Sequence, residues 1–400
     1  MWLHTFLDVS TALLGVWYFS LTARLIRFYD NLEYLKDVWF DENRTALWPK
    51  VSLIIPACNE GETIFQAASS LLKIDYPALE IVLIDDRSTD NTNALIKKLA
   101  LSEPRIKVVE IKTLPPGWLG KVHALNEGVK AATGEWLLFT DADVHFRPEA
   151  LKRALSYVEK KGLDFLTISP RFIMNSFWLK IFVNQFLHQG AVVLDQKRLS
   201  DPNLPDALGI GAFNLVRRST FDSSEGFEGL KMEVVDDSGL AFLIKKAGGR
   251  LGLCDGMSEI EIEWYPNLRG FIRGLEKNGF AMFQYSMPNL LTFIFLTWAL
   301  LLSSIFIPPL APSPFAQIFF VTGALSYFLY TAYAFGRWAR ISPLMVLWLP
   351  ITFVLFPLIS LRSAFICHRQ NGISWRGVFY SLDEIRRGQR FKPLDGLFKK

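Results

Sequence analysis

The chain has 400 residues, enough for two ordinary soluble domains, but half of them are hydrophobic and the mean hydropathy is +0.22. That excess needs an apolar solvent and excludes a purely soluble protein. The formal net charge of +4 gives no general nucleic-acid footprint. The three scattered cysteines, Cys58, Cys254 and Cys367, have neither zinc-site spacing nor the even count of a disulfide framework, so a reducing compartment fits best.

Residues 3–21 carry almost no charge and are long enough to cross about 30 Å of hydrocarbon as a helix. Arg24 and Arg27 follow and hold that end on the cytosolic side; a cleaved signal peptide has the reverse order of charge and apolar run. An uncleaved anchor over residues 1–27 is the expectation.

The middle of the chain, 48–285, reads as the catalytic domain. Residues 51–56 (VSLIIP) and 80–84 (EIVLI) are continuous β-branched runs with helix-forming sequence between them, the pattern of strands buried on both faces of a parallel sheet. A third run spans 105–111, an amphipathic helix 122–132, and a fourth strand 135–140. The strands end in polar residues: Cys58, Asn59 and Glu60 after the first, Asp85 and Asp86 after the second, Asp141 and Asp143 after the fourth. This alternation predicts an α/β fold with a mostly parallel sheet flanked by helices, in which ligands bind outside the carboxyl ends of the strands.

Further along, the apolar segment 177–194 suits either a membrane-interface helix or a plain core helix. Residues 209–216 (GIGAFNLV) place small residues in a tight strand or turn, and 233–241 (EVVDDSGLA) puts an acidic pair before a helix expected over 238–247. In 267–280, Arg269, Arg273 and Lys277 fall on one helical face, suited to diphosphate, to lipid head groups or to solvent. Three apolar spans follow within 286–366, near 290–310, 315–335 and 341–361. Three full crossings put the basic tail, 367–400, outside, against the positive-inside rule; Pro350 and Pro357 suggest a re-entrant last span that keeps it inside.

As chemistry, two aspartates one residue apart on a turn hold Mg²⁺ or Mn²⁺ and leave positions for water and phosphate oxygens. Asp141 and Asp143 taken alone read equally as a helix cap and a turn acid. Lys121, at a helix start after Gly120, suits a phosphate or stands as an ordinary exposed lysine. His123 reads as a packing residue.

The motifs VSLIIPACNEGETI, IVLIDDRSTDNT, GWLGKVHALNEGVKAATGEWLLFTDADV and EVVDDSGLAFLIKKAG occur in this order on one αβ pattern, over residues 50–256. Together they resemble the family 2 glycosyltransferases with the GT-A fold. The resemblance implies a nucleotide-sugar site built from Pro56, Asn59, Glu60, Asp85, Asp86, Lys121, Asp141 and Asp236, with Asp141 and Asp143 on the divalent metal. It implies Asp237 as the base that deprotonates the acceptor in an inverting transfer. Asp236 stands where that family usually has Glu. The resemblance further implies that Gly211 lies where sugar or acceptor approaches the backbone, and that Arg269 and Arg273 are diphosphate or acceptor contacts.

Processive polysaccharide synthases of the family carry a Gln-x-x-Arg-Trp motif; here the one Arg-Trp, Arg337-Trp338, has Ala334 in the glutamine position. The 267–280 tract and the tail NGISWRGVFY, with Trp375, are similar to glycosyltransferases of hopanoid, carotenoid and ceramide-type lipids. The expectation is transfer of one sugar to a membrane lipid, by an enzyme of the bacterial inner membrane with its catalytic domain in the cytosol. The rival readings are a processive synthase sharing the donor site and a non-catalytic membrane partner retaining the fold.

Overall fold

The computed structural model describes residues 1–42 and 48–392, so residues 393–400 of the basic tail lie outside the described residues. The chain forms two compact units, neither contiguous in sequence. A sheet unit contains Leu32–Ile173, Gln196–Trp264 and the chain from His368 onward; a helical unit contains Met1–Asn31, Met174–Asp195 and Tyr265–Cys367.

The strands, in chain order, are β1 (Val51–Ala57), β2 (Leu79–Asp86), β3 (Ile106–Ile111), β4 (Trp136–Phe139), β5 (Val144–Phe146), β6 (Phe165–Ser169), β7 (Arg171–Phe172), β8 (Asn214–Arg217), β9 (Leu251–Asp255), β10 (Ile260–Ile262), β11 (Gly372–Trp375) and β12 (Val378–Ser381). Seven of them make the main sheet, in the order β3-β2-β1-β4-β8-β6-β9. β8 runs antiparallel to both its neighbours, and the other four pairs are parallel. No residue of Val51–Ile55 or of 81–86 is more than 3 % exposed. Continuous β-branched sequence therefore becomes central strand, and each large apolar side chain contributes about 1.5–3 kcal/mol by leaving water. The parallel register sets Ala57 against Asp85, and Asp85 against Glu110, so the acids after β2 emerge at the carboxyl rim.

One polar cluster is tied into this core. Ser52 on β1 donates to Glu80, and its Oγ accepts from Gly134 N at 2.7 Å. Glu80 accepts in addition from Thr133 N and Oγ1 and pairs with Lys50 at 3.0 Å. Although burial opposes ionisation, the bonds from Ser52, Thr133 and Lys50 win and hold the Glu80 carboxyl down at about 2.

Among the described residues four helices are long and apolar enough to cross a membrane: Trp2–Asp30, Met287–Leu310, Pro314–Arg337 and Pro343–Gln370. The last is a 3₁₀ turn, Pro343–Trp348, leading into the continuous α-helix Leu349–Gln370. The re-entrant break expected from the two prolines is therefore absent. Pro350 occupies the first turn, where no intrahelical N–H is needed, and Pro357 is carried inside the helix. The helical unit also holds Phe177–Val193 and Leu268–Ala281, both capped by side chains, Ser176 on Leu179 N and Asn267 on Gly270 N.

Candidate active site

The carboxyl rim of the sheet carries two groups of polar side chains that meet at the start of the helix Gly120–Ala131. The first group follows β1 and β2. Asn59 has φ +56°, a left-handed conformation that asparagine tolerates, and its Oδ1 accepts from Thr89 N at 2.8 Å. Asp90 accepts from Gly61 N at 3.1 Å and from Thr92 N at 3.0 Å, locking the two turns together. Pro56 stands in β1 opposite Ile84. Asp85 and Asp86 are both buried. Asp85 Oδ2 accepts from Asn93 at 2.7 Å, whereas its Oδ1 is buried without a protein donor. Asp86 accepts two bonds from Arg87, at 2.7 and 2.9 Å.

The second group is centred on Lys121, in the first turn of that helix. Its Nζ lies 2.8 Å from Asp141 Oδ1 and 3.3 Å from Asp236 Oδ2. Burial alone would favour the neutral amine, but Asp141, Asp236 and Asp237 outweigh it and raise the pKa, keeping the ammonium charged. Asp236 and Asp237 open the helix Asp236–Lys246, two residues earlier than the sequence suggested. There the acids complement the positive helix terminus, and Asp237 Oδ1 accepts from Ser238 N at 2.7 Å. Burial, with Asp236 beside it, nonetheless pushes the Asp237 carboxyl up to about 7, against the pull of Lys121. Burial and Asp141 likewise push Asp143 up to about 7.

Backbone closes in on these acids from 209–213, which forms a turn; only Asn214–Arg217 of that stretch is strand. Asp141 N donates to Gly211 O at 3.2 Å, and Thr140 Oγ1 donates to Ala212 O at 2.7 Å. A Cβ on Gly211 would lie 2.7 Å from Asp141 Oδ2, so a larger residue here displaces the Asp141 carboxylate.

The groups are joined at Gly120, where a Cβ would lie 2.8 Å from Asp86 Oδ2. Asp143 adds a second link, since Glu60 and Lys121 both act on its charge. Thus Asn59, Glu60, Asp85, Asp86, Lys121, Asp141, Asp143, Gly211, Asp236 and Asp237 occupy one rim. Arg269 and Arg273 belong to the helical unit, where with Leu268, Ile272, Glu276 and Arg362 they line a cleft of about 450 Å³. Among the described residues no group of three or more His, Cys, Asp or Glu side chains is arranged to hold a metal.

The hairpin β11-β12 supplies residues that the sequence reading missed. Its turn, Arg376-Gly377, has φ of +49° and +79°, the mirror-image geometry that matches strand twist. Trp375 precedes that turn on β11, while Arg376 bonds Cys58 O at 2.8 Å and pairs with Glu60. Buried Tyr380 accepts from Gly120 N at 3.2 Å. Beyond the hairpin, Arg390 N and Phe391 N donate to buried Glu233 at 2.8 and 2.9 Å, bracing the loop before Asp236. An apolar pair of runs around Arg-Gly was the available signal for the hairpin, but nothing local identifies its partners. His123 is buried against Trp118, ring centroids 5.4 Å apart, which is a packing role.

Residues 52–224 match the family model described as Glycosyl transferase family 2. The chain carries a family 2 glycosyltransferase domain. It is 28% identical over 218 residues to a beta-monoglucosyldiacylglycerol synthase of Synechocystis sp., covering 52% of this chain and 43% of that protein. It is 35% identical over 124 residues to the poly(ribitol-phosphate) beta-N-acetylglucosaminyltransferase TarS of Staphylococcus aureus, covering 30% and 21%. The chain thus spans less than half the length of these curated relatives. A solved structure of the mannosyltransferase PcManGT from Pyrobaculum calidifontis, in complex with GDP-Man and Mn²⁺, aligns over 91% of this chain and 99% of that one, at TM-score 0.53 and 20% identity. That likeness bears on the fold, which is GT-A: a mostly parallel sheet flanked by helices.

Proposed function

We propose that this protein transfers a single sugar from a nucleoside-diphosphate sugar to a membrane lipid, with inversion at the anomeric carbon. The observation that carries the reading is the Lys121 ammonium held between Asp141 and Asp236, with Asp237 adjacent, at the rim of a GT-A sheet. This arrangement supplies positive charge for a diphosphate and a carboxylate for an acceptor proton in one place.

In this reading the buried Oδ1 of Asp85, which has no protein donor, accepts from the base or ribose, with Asp86 and Asn59 on the same rim. Pro56, at the end of β1, and Glu60 after it complete that side of the rim. Asp141 and Asp143 suit a divalent cation: both offer hard oxygen, and Asp143 is pushed up to about 7 by burial and Asp141, a like-charge conflict that Mg²⁺ or Mn²⁺ relieves. When bound, the ion neutralises the departing diphosphate. Lys121 adds charge on the leaving-group side, and Gly211 leaves room beside Asp141. The acceptor hydroxyl oxygen forms its bond to the anomeric carbon as the bond to the diphosphate oxygen breaks. Asp237 takes the proton, and the nucleoside diphosphate leaves with the bonding electron pair.

The lipid acceptor is supported by four membrane-length apolar helices and by the glycolipid synthase among the relatives. A bacterial inner-membrane enzyme with its sheet unit in the cytosol is supported by Arg24 and Arg27 at the end of the first helix and by three cysteines, none of them in a disulfide.

The test is Asp237→Asn in purified full-length protein, with a donor panel, membrane lipid extract and mass analysis of the product. We expect transfer to fall by roughly 10²-fold or more while donor binding persists, the range for loss of a general base. Near-normal transfer by the variant removes Asp237 from the chemistry, and long sugar chains in place of singly glycosylated lipid overturn the single-transfer reading.

A further inference from the structure

We propose that the helix Leu349–Gln370, although long and apolar enough to cross a membrane, lies within one leaflet, on the side that carries the sheet unit. The chain then crosses the membrane three times, and its C-terminal segment returns to that side.

Chain continuity gives the first constraint. The segments before residue 265 and after residue 367 fold into one compact, charge-rich unit, which occupies one side of a bilayer. The excursion between them therefore begins and ends on that side, so the number of crossings within it is even. It contains three apolar helices of sufficient length.

Packing inside the helical unit identifies which one stays. Trp2–Asp30 and Pro314–Arg337 run parallel. Asp8 Oδ1 accepts from Ser313 N at 2.9 Å, Thr22 Oγ1 lies 3.0 Å from Ser326 Oγ, and Tyr29 stacks on Trp338 with centroids 5.3 Å apart. Between these points a Cβ on Gly323 would lie 2.7 Å from Gly15 O, the close backbone crossing that small residues permit in lipid. The first helix ends at Asp30 and the chain passes into the sheet unit at Leu32, so the Arg337 end of the parallel pair is the end from which the chain continues into that unit. Met287–Phe306 leads to the Ser313 end, with Ser304 Oγ accepting from Tyr18 at 3.2 Å. These two helices are the even pair.

The last apolar helix begins at the Arg337 end, where Phe335 packs with Met345, Val346 and Leu349 and a Cβ on Gly336 would lie 3.1 Å from Pro343. It finishes as the chain rejoins the sheet unit at His368. Both ends are on one side. At 22 residues it is about 33 Å long, the full thickness of the hydrocarbon, so a continuous helix has no room to dip in and return.

Its neighbours are tethered in the same way. Phe177–Val193 leaves and rejoins the sheet unit within Met174–Asp195, and the last helix runs beside it, Trp178 against Trp348 at 5.2 Å and Phe186 against Phe356 at 6.1 Å. Leu268–Ala281 completes the layer. Ser363 Oγ donates to Glu276 O at 2.9 Å and accepts from Phe280 N at 3.0 Å, and Arg362 pairs with Glu276 at 2.6 Å.

The surface of the last helix is reversed relative to a water-facing one. Thr352, Ser360 and Ser363 are buried, whereas Ile351, Leu358 and Phe365 are 40, 41 and 62 % exposed. The occupant of that outer face is the acyl region of the leaflet, and the Arg269, Arg273 and Arg362 cleft suits the head-group level above it.

The inference rests on the apolar helices being in lipid and not on the transferase reading. In full-length Cys58→Ser protein, leaving the buried Cys254 and Cys367 in place, single cysteines at Lys112→Cys, Pro312→Cys and Arg387→Cys are exposed to a membrane-impermeant maleimide in sealed vesicles. We expect Lys112→Cys and Arg387→Cys to label together and Pro312→Cys to label only after permeabilisation or in vesicles of opposite orientation. Nitroxides at Ile351→Cys, Leu358→Cys and Phe365→Cys should report one shallow depth. Arg387→Cys labelling with Pro312→Cys, or a nitroxide depth that rises to the bilayer midplane at Leu358, overturns the proposal.

Discussion

Lys121 is the residue on which the arrangement of acids depends, and Lys121→Met removes its charge while keeping most of its stem. Its two contacts, 2.8 Å to Asp141 and 3.3 Å to Asp236, correspond to about 5–6 kcal/mol each at an effective dielectric of about 20, before desolvation. Desolvation of the three groups cancels much of this, and removing one partner of a buried pair leaves a net loss of about 3–5 kcal/mol. The Lys121 side chain is 24% exposed, which moves the expectation to about 2–3 kcal/mol. For a unit of this size that is roughly 5–10 °C in the unfolding midpoint, readable in nanodiscs without divalent cation.

A second consequence has a definite sign. Lys121 lowers the pKa of Asp237, so its loss raises that value above about 7. A proton acceptor must be ionised, so the acid limb of kcat, at saturating donor and Mn²⁺, moves to higher pH. Lys121→Met protein with the midpoint and acid limb of the parent refutes the placement of Lys121 as the counter-charge of Asp237.

Arg376→Ala frees the Cys58–Glu60 turn from the hairpin; we expect the donor KM to rise about tenfold, about 1.4 kcal/mol, with a smaller change in kcat. Gly211→Ala places a Cβ 2.7 Å from Asp141 Oδ2, so transfer should fall and Mn²⁺ titration should show weaker binding, with the unfolding midpoint within about 1 °C of the parent. Glu80 has a pKa of about 2 in the folded chain, below its ordinary value of 4.5, so its stabilisation is complete above about pH 4.5 and is lost as the pH falls through 2. With solvent screening this amounts to about 2 kcal/mol, and Glu80→Gln should flatten that part of the stability profile.

The parts of the fold legible in the sequence were those set by local burial. VSLIIP and EIVLI became β1 and β2 because a strand covered on both faces has no solvent side on which to place polar residues. The acids at their ends, and Asp141 after β4, converge because parallel strands point the same way. The antiparallel β8 between β4 and β6 had no such signature: its direction is decided by partners 77 and 49 residues away, Leu138↔Leu215 and Leu166↔Leu215, rather than by its own four residues. The division of 209–216 into turn and strand was open for the same reason, since the turn is shaped by Asp141 and Thr140.

The tail illustrates the remaining gap. Composition marks 367–400 as basic, which reads as a solvated or lipid-facing extension, yet Arg376 satisfies Cys58 O and Tyr380 satisfies the Gly120 N–H, an orphan donor at a helix start. Backbone groups at such a rim need partners, and here they come from more than 250 residues away in sequence. A hairpin that fills this need brings the chain back to the sheet unit after the last apolar helix. Its side of the membrane therefore follows from hydrogen bonds to Cys58 and Gly120, with Glu233 gripping the amides of 390 and 391; the basic charge of the tail agrees, whereas counting the apolar spans alone gives the opposite answer.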